Sequence, residues 1–293
     1  MKLLRSMLFT PGNNMRMICK AGLLGADAII LDLEDAVPLA DKETARLFIR
    51  DSITQLARQR SQVFVRINAL TTGLADDDLD WIVQEGLAGI VLPKAESASE
   101  IQLLARMIAK LEDQHGLERE STKLVLILET ARGVHAAQET AAADSRIIAL
   151  AFGAVDFARD MGINLTRDGA ELLYARSYIA IVARAERLLA IDTPCIDVAD
   201  RERLAFEAKS ARQLGFRGKL LVHPSQVSSV NQIFSPTEDE VAYARKIVAA
   251  FRDAETQGFG AILLDGKMID VANYRQAVEL IALADAVARM ERN

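Results

Sequence analysis

The stretch "LDLEDAVPLADKETAR", residues 31–46, crowds the carboxylates of Asp32, Glu34 and Asp35 at the end of an apolar run. Charges this close repel one another and resist burial, so a helix cap or a solvated turn is the ordinary explanation. A site that also holds a cation and an arginine would tolerate them. The choice between these explanations depends on the polar residues that end the other apolar runs.

Two further carboxylates, those of Glu129 and Asp156, end the apolar runs "KLVLILET" and "RIIALAFGAVDF" with no cysteine or histidine beside them. Either acid alone could cap the N-terminus of a helix. Oxygen ligands without nitrogen or sulfur suit a hard cation such as Mg²⁺, which takes one or two carboxylates and leaves its other positions for water and substrate. We therefore predict an Mg²⁺ site at these two residues, with Mn²⁺ as the alternative ion.

Arg66, in "QVFVRIN", offers a planar fork of donors that suits a carboxylate or an enolate oxygen. The alternative is a structural ion pair with Glu34 or Asp35, and one arginine could serve both purposes. Small residues lie beside the predicted metal ligands, where backbone N–H groups could hold an anionic ligand. These residues are Gly133, Gly153, Ala154 and Val155.

Eight short apolar runs predict eight strands. They are "SMLFTPG", "DAIILDLED", "QVFVRIN", "AGIVLPK", "KLVLILET", "RIIALAFGAVDF", "TPCIDV" and "GKLLVHPSQ". Helix-like stretches alternate with them, over roughly 13–24, 41–59, 97–113, 170–190 and 201–214. Runs this apolar are typical of parallel strands covered on both faces, and eight strand–helix units fit a (β/α)8 TIM barrel better than the alternative, a doubly wound sheet. In a barrel, the carboxyl ends of the strands would bring the polar residues together in one site.

The chain continues beyond this alternation with a helix at roughly 237–256, the segment "AILLDGKMID", and a final helix from about residue 272. Two short apolar stretches joined by Asp-Gly predict a β-hairpin. We therefore predict a catalytic barrel domain over 1–235 and a C-terminal helix–hairpin–helix extension over 236–293.

Composition excludes several classes of function. Hydrophobic residues make up 51% of the 293 residues and charged residues 26%, as in a globular protein, and the apolar runs are too short to span a bilayer. Arg5 and Pro11 interrupt any signal-peptide core, so we expect a cytoplasmic protein. The net charge of −6 and the lack of a basic stripe argue against a nucleic-acid partner. The sequence lacks a P-loop and a G-x-S-x-G motif, which argues against P-loop nucleotide hydrolysis and against serine hydrolases of the common type.

A series of ordered blocks resembles the citrate lyase β-subunit family, which belongs to the HpcH/HpaI aldolase superfamily and includes citryl-CoA, malyl-CoA and citramalyl-CoA lyases. The blocks run from about residue 4 to 290. They are "RSMLFTPGN", "DAIILDLEDAV" with "DKETAR", "VRIN", "GIVLPK", "ILET", "AFGAVDFARDMG", "LVHPSQV" and "GFGAILLDGKMID". The resemblance implies Mg²⁺-dependent cleavage of a 3-hydroxyacyl-CoA thioester into acetyl-CoA and a 2-oxo acid.

The same resemblance implies roles for individual residues. It makes Glu129 and Asp156 the metal ligands, and Arg66 the residue that contacts the substrate and stabilises enolate charge. It makes Asp270, which closes the "GKMID" block, a catalytic acid or base that acts from a neighbouring subunit. The extension would then cover that neighbour's active site in a homotrimer or hexamer.

The remaining expectations concern the surroundings of these groups. Glu34 and Asp35 would lie beside Arg66 and a metal-bound water and fix their orientation. Arg5 and Lys94 are candidates for contacts to the CoA phosphates, with ordinary surface positions as the alternative.

Two other functions stay open at this point. One is a metal-dependent aldolase that acts on free 2-oxo acids, and the other is a citrate lyase subunit that depends on an acyl carrier protein. Val155 stands where an acidic residue is expected in the subunits of citrate lyase complexes, which favours a stand-alone enzyme.

Overall fold

The computed structural model of the chain describes residues 3–292. The chain divides into two compact units. One is Leu4–Phe234, and the other consists of Leu3 and the residues from Ser235 onward. The division falls between the strand–helix alternation and the C-terminal segment, so each unit has its own architecture.

The larger unit is a closed barrel of parallel strands, which confirms the predicted TIM barrel. Each strand pairs with the next along the chain, and the last pairs with the first. The strands are β1 Ser6–Pro11, β2 Ala28–Asp32, β3 Gln62–Arg66, β4 Gly89–Leu92, β5 Lys123–Leu128, β6 Ile147–Phe152, β7 Leu189–Asp192 and β8 Gly218–Leu221. All eight carboxyl ends therefore lie at the same end of the barrel.

Both faces of the strands are buried, because alternate side chains point to opposite sides. Ile30 of β2 lies in the cluster that fills the barrel, together with Phe64 and Val91. Its neighbours Ile29 and Leu31 belong to the larger cluster between the strands and the surrounding helices. This double burial explains why the sequence shows nearly continuous apolar runs.

Helices surround the strands. They are α1 Met15–Ala21, α2 Lys42–Ala57, α3 Ala75–Ile82, α4 Ala98–His115, α5 Ala131–His135, α6 Ala137–Ala141, α7 Ala154–Met161, α8 Leu173–Ala185, α9 Arg201–Leu214 and α10 Val227–Phe234. Short 3-10 turns occur at Leu39–Asp41, Leu70–Thr72, Ala170–Leu172 and Pro224–Gln226. The face of α2 that packs inward has helical spacing and consists of Ala45, Ile49, Ile53 and Leu56.

The seventh strand is not where the sequence placed it. The run "TPCIDV", residues 193–198, is irregular, and β7 is Leu189–Asp192 instead. Pro194 lacks the N–H group that a central strand needs. The predicted helix at 170–190 includes the start of the true strand, but α8 ends at Ala185. Just beyond this end, Arg187 takes a positive φ of 59° and the Leu188 N–H donates to the carbonyl of Ala183.

The smaller unit is a helix, a hairpin and a helix, as predicted. Its elements are α11 Glu238–Thr256, β9 Ala261–Leu264, β10 Lys267–Asp270 and α12 Val271–Arg292. The two strands pair antiparallel, and the connecting Asp265 and Gly266 both have positive φ, which is the reason for the Asp-Gly signal. Phe251 of α11 stacks on Tyr274 of α12, with ring centroids 5.1 Å apart.

Within residues 3–292, no helix combines the length and the apolar character needed to cross a membrane.

Candidate active site

The carboxyl ends of β2 and β3 hold a clamped arginine. The strand register sets Asp32 beside Arg66. Arg66 donates from Nε to Asp32 Oδ1 at 2.7 Å and from Nη2 to Oδ2 at 2.6 Å. The Arg66 side chain is only 11% exposed and that of Asp32 is 2% exposed. This bidentate pair fixes the plane of the guanidinium.

Asp32 is a site residue that the sequence reasoning missed. The sequence places it among the crowded carboxylates but does not identify its partner. The available signal was its position as the last residue of an apolar strand, facing the end of the next strand, where Arg66 lies.

The third nitrogen of Arg66 faces the other two acids of the crowded stretch. Nη1 lies 2.9 Å from Glu34 Oε2 and 3.7 Å from Asp35 Oδ2, and the guanidinium carbon lies 4.7 Å from the centre of the Phe9 ring. Burial by itself would lower the pKa of Arg66, but the hydrogen bonds and charge of Asp32, followed by the charges of Glu34 and Asp35, raise it. The guanidinium therefore stays cationic inside the site.

Lys94 connects the Arg66 region with the predicted metal site. Its Nζ lies 2.5 Å from Glu34 Oε1, and its backbone N–H donates to Glu129 Oε1 at 2.9 Å. Lys94 has a positive φ of 50°, which is uncommon for a side chain of this size and often marks a functional position. Burial would lower the pKa of Lys94, but the hydrogen bond and charge of Glu34 raise it. Its ammonium group thus balances Glu34, and the expected contact to a CoA phosphate stays a prediction.

Glu34 itself is a buried acid between two cations. Burial raises its pKa, against the lowering effects of Arg66 and Lys94. For Asp32 and Glu34 the structure therefore supports a site explanation, because Arg66 and Lys94 neutralise them. Asp35 instead lies in a turn with its side chain 59% exposed.

Glu129 follows β5 and is 4% exposed. Burial raises its pKa to about 7, and the charges of Glu34 and Asp156 add to this rise, while the Lys94 N–H and Arg66 oppose it. Gly153 permits the close approach of the start of α7, since a Cβ there would lie 2.6 Å from both the Cβ and the Oε2 of Glu129. The end of β5 and the start of α7 therefore meet at one point.

Asp156 lies in the first turn of α7, and its Oδ1 is 2.7 Å from Nη2 of the exposed Arg159. Its charge acts on Glu129, so the two predicted ligands share one electrostatic environment. Within residues 3–292, no three or more His, Cys, Asp or Glu side chains form a group that could hold a metal ion. Two carboxylates are nevertheless enough for Mg²⁺, and a divalent cation would relieve the repulsion that raises the pKa of Glu129. The residues present fit the ion.

The small residues have more than one role. The N–H of Gly133 donates to Thr130 Oγ1 at 3.0 Å, and a Cβ at Gly133 would lie 2.7 Å from the carbonyl oxygen of Ala95. The structure therefore assigns Gly133 to helix capping and close packing in place of the expected ligand contact. The N–H of Ala154 is likewise used, by Thr193 Oγ1 at 3.0 Å. Gly153, the N-cap of α7, has no side chain to accept the next N–H groups, so Val155 remains a candidate for holding an anion through its backbone.

The expectation for Arg5 is wrong. Arg5 precedes β1 and pairs with Asp27, which precedes β2, at 2.9 Å from Nε to Oδ2 and 2.8 Å from Nη2 to Oδ1. Both side chains are buried. They lie at the amino ends of the strands, opposite the site, so Arg5 cannot contact a CoA molecule bound there.

Asp270 ends β10 in the smaller unit. Its Oδ1 accepts the N–H groups of Ala272 and Asn273 at 2.9 and 3.1 Å, so it caps the start of α12. A cap explains one oxygen of this carboxylate, and the catalytic role stays a prediction.

The chain is similar to known proteins over most of its length. The family model described as HpcH/HpaI aldolase/citrate lyase matches residues 5–224. The citrate lyase subunit beta of Leuconostoc mesenteroides subsp. cremoris is 38% identical over 285 residues, which cover 97% of this chain and 94% of that protein. The human mitochondrial citramalyl-CoA lyase is 32% identical, over 97% of this chain and 86% of that protein.

Among solved structures, that of CitE from Mycobacterium tuberculosis, in complex with magnesium, acetoacetate and coenzyme A, superposes with a TM-score of 0.78 at 32% identity. The match covers 96% of this chain and 98% of the other. The resemblance inferred from the ordered sequence blocks is thereby confirmed. The chain belongs to the HpcH/HpaI aldolase/citrate lyase family.

Proposed function

We propose that the chain is an Mg²⁺-dependent carbon–carbon lyase that cleaves a 3-hydroxyacyl-CoA thioester of the citryl-, malyl- or citramalyl-CoA type into acetyl-CoA and a 2-oxo acid. The observation that carries this proposal is the Arg66 guanidinium, held by Asp32 beside the buried Glu34, Lys94 and Glu129. Relatives named citrate lyase subunit beta and citramalyl-CoA lyase support it, as does the complex of CitE with magnesium and coenzyme A.

Glu129 and Asp156 would hold the metal ion. When bound, Mg²⁺ supplies Lewis-acid chemistry, which acidifies and orients the substrate hydroxyl group. The approach of α7 to Glu129 through Gly153 supports this pairing, because it brings the first helical turn to the end of β5. The backbone of Gly153, Ala154 and Val155 would border the substrate carboxylate at the start of α7.

Arg66 would stabilise the negative charge that develops on the thioester when the carbon–carbon bond breaks. Its raised pKa keeps it cationic, and the Asp32 clamp holds it in one orientation. The guanidinium has five N–H donors, more than its carboxylate contacts require, so a substrate oxygen can be bound as well. Glu34 and Asp35 would hold this group from the other side.

Cleavage passes the hydroxyl proton to water, leaves the electrons of the broken carbon–carbon bond on the thioester as an enolate, and adds a proton from an acid to the enolate carbon. We assign the protonation to Asp270 of a neighbouring subunit. Only Oδ1 of this carboxylate is used in the helix cap within the described part of the chain, which leaves Oδ2 for proton transfer. Residues 236–293 would then act as an extension that covers the neighbour's active site, in a homotrimer or hexamer.

A carrier-dependent subunit is the second candidate function. The observation that favours it is that relatives named citrate lyase subunit beta are 36–38% identical to the chain, compared with 32% for the human citramalyl-CoA lyase. An acyl carrier protein would then present the thioester in place of CoA. Co-purification with such a partner, together with inactivity on CoA thioesters, would identify this function.

Calorimetry combined with a cleavage assay tests the lyase. Acetyl-CoA is titrated into the protein with Mg²⁺ and either oxaloacetate, glyoxylate or pyruvate, and the matching 3-hydroxyacyl-CoA is then offered as substrate. We expect acetyl-CoA binding that strengthens with one oxo acid and is lost in Asp156→Ala. Tight oxo-acid binding without any response to CoA thioesters would contradict the proposal and favour the aldolase of free 2-oxo acids.

A further inference from the structure

A buried lysine donates hydrogen bonds to the backbone of the turn that follows β2. Lys42, the first residue of α2, donates from Nζ to the carbonyl oxygen of Leu33 and to that of Glu34, the latter at 2.7 Å. Lys42 is 9% exposed. The ammonium group therefore binds two successive carbonyls of the turn that carries the Glu34 carboxylate to Arg66 and Lys94.

Burial and the nearby carboxylates have opposite effects on this ammonium group, and burial has the larger one. Burial lowers the pKa of Lys42, while the carboxylates of Asp32, Asp78, Glu34 and Asp35 oppose this effect in that order. The positive charge of Lys42 near Asp32, Glu34 and Asp35 reduces the repulsion among these carboxylates. Lys42 thus contributes both hydrogen bonds and charge to the segment.

The same face of α2 also reaches the segment after β3. Arg46, one helical turn beyond Lys42, donates from Nε to Asp78 Oδ1 at 2.7 Å. Asp78 Oδ2 in turn accepts the backbone N–H of Asn68 at 2.8 Å and its side-chain Nδ2 at 2.7 Å. Helix α2 therefore fixes the segment after Asp32 directly and the segment after Arg66 through Asp78.

We propose that Lys42 is a positioning residue for the lyase: it fixes the turn at 33–38 so that Glu34 contacts Arg66 Nη1 and Lys94 Nζ. This inference rests on the proposed function. Without the ammonium group, the carbonyls of Leu33 and Glu34 lose their donor and the turn relaxes. Arg66 keeps its Asp32 clamp, so substrate is still bound, but the groups around the reacting atoms lose their alignment.

The test uses Lys42→Met in the full chain, with Arg50→Met as the matched control. Arg50 lies on the same helix, is 42% exposed and pairs with Asp51 on the surface. We expect Lys42→Met to lower kcat by roughly 10–100-fold with KM within about threefold of the original value. Lys42→Arg should restore part of the activity, because a guanidinium keeps the charge and the donors. Arg50→Met should leave both constants unchanged.

Hydrogen exchange of residues 33–38, followed by mass spectrometry, gives a readout that does not depend on activity. Faster exchange there in Lys42→Met, and not in Arg50→Met, is the expected result. Unchanged exchange would overturn the proposal whether or not the protein is a lyase. Faster exchange with an unchanged kcat would reduce Lys42 to a structural role and overturn it as well.

Two complications have their own controls. Should Lys42→Met fail to fold, Lys42→Gln removes the charge while keeping a polar donor, and the same two measurements decide. Should the original protein cleave no thioester, the proposed function fails, while the exchange experiment still decides whether Lys42 anchors the turn.

Discussion

At the scale of the residue, the site depends on compensation between buried charges. Arg66 is surrounded by three acids but hydrogen-bonds only one of them in a bidentate manner. A buried pair of this kind adds little net stability, yet breaking it leaves an uncompensated charge. Asp32 is therefore the partner whose loss should matter most.

We predict that Asp32→Asn lowers kcat by roughly 10–100-fold and destabilises the fold by about 3 kcal/mol, because it leaves the buried guanidinium with a neutral partner. Steady-state kinetics and urea unfolding measure the two effects. Asp51→Asn, at an exposed pair with Arg50, should change stability by at most about 1 kcal/mol. Equal effects of the two substitutions on stability would contradict the argument.

The raised pKa of Glu129 predicts how the stability of the metal-free protein depends on pH. Its pKa is raised from 4.5 to about 7 in the folded protein, so its contribution to stability is complete below pH 4.5 and is lost as pH rises through 7. Compared with Glu129→Gln, the original protein should therefore lose about 3 kcal/mol between pH 4.5 and pH 8.

The measurement is urea unfolding of both proteins in EDTA across that range of pH. Added Mg²⁺ should restore the stability of the original protein at pH 8 but not that of Glu129→Gln, because bound metal favours the ionised carboxylate. A difference between the two proteins that does not vary with pH would show that the pKa of Glu129 is not raised.

At the scale of the element, the approach of α7 to β5 is the contact that would bring the two proposed metal ligands together. Only a residue without a side chain fits at Gly153, given the 2.6 Å that a Cβ would leave to Glu129. Gly260, by contrast, is not required for space, because a Cβ there would meet no atom within 4 Å. The two glycines form a matched pair for an experiment.

We predict that Gly153→Ala weakens Mg²⁺ binding at least about tenfold, because the new methyl group displaces Glu129 or the start of α7. Calorimetric titration with Mg²⁺ measures the effect, and Gly260→Ala should bind the ion as the original protein does. An unchanged affinity in Gly153→Ala would show that the metal ligands do not depend on this close approach.

Most elements could be predicted from the sequence because the barrel buries both faces of its strands and so leaves a clear apolar signal. The prediction of the seventh strand was wrong because Leu189–Asp192 follows α8 so closely that its apolar residues continue the helical pattern. The Asp32–Arg66 clamp required the register between β2 and β3, which is a tertiary property. The wrong expectation for Arg5 could have been avoided from the sequence, because a residue that precedes an apolar run lies at the amino end of its strand, away from the site.

At the scale of the whole molecule, the role that we propose for Asp270 combines groups from two subunits in each active site. The proposed metal ligands lie in the unit Leu4–Phe234, and Asp270 lies in the other unit. If Asp270 acts on a neighbour, each complete site combines the barrel of one copy with the extension of another.

Mixing two inactive variants tests this arrangement. Glu129→Gln inactivates the barrel and Asp270→Asn inactivates the extension, so each homo-oligomer should be inactive. In oligomers reassembled from equal amounts of both, about a quarter of the sites should contain neither substitution and should recover activity. Native mass spectrometry of mixtures in which one variant is isotope-labelled confirms that mixed oligomers form. Mixed oligomers without activity would place Asp270 in the site of its own chain, or outside the mechanism.

The buried pair of Arg5 and Asp27 has a consequence for how this sequence can change. It lies at the amino ends of β1 and β2, while the clamp of Asp32 and Arg66 lies at the carboxyl ends of β2 and β3. Conservation at the amino end of a barrel serves folding, and conservation at the carboxyl end serves chemistry. Substrate preference can therefore diverge among descendants of this chain while the opposite rim is retained as inherited scaffold.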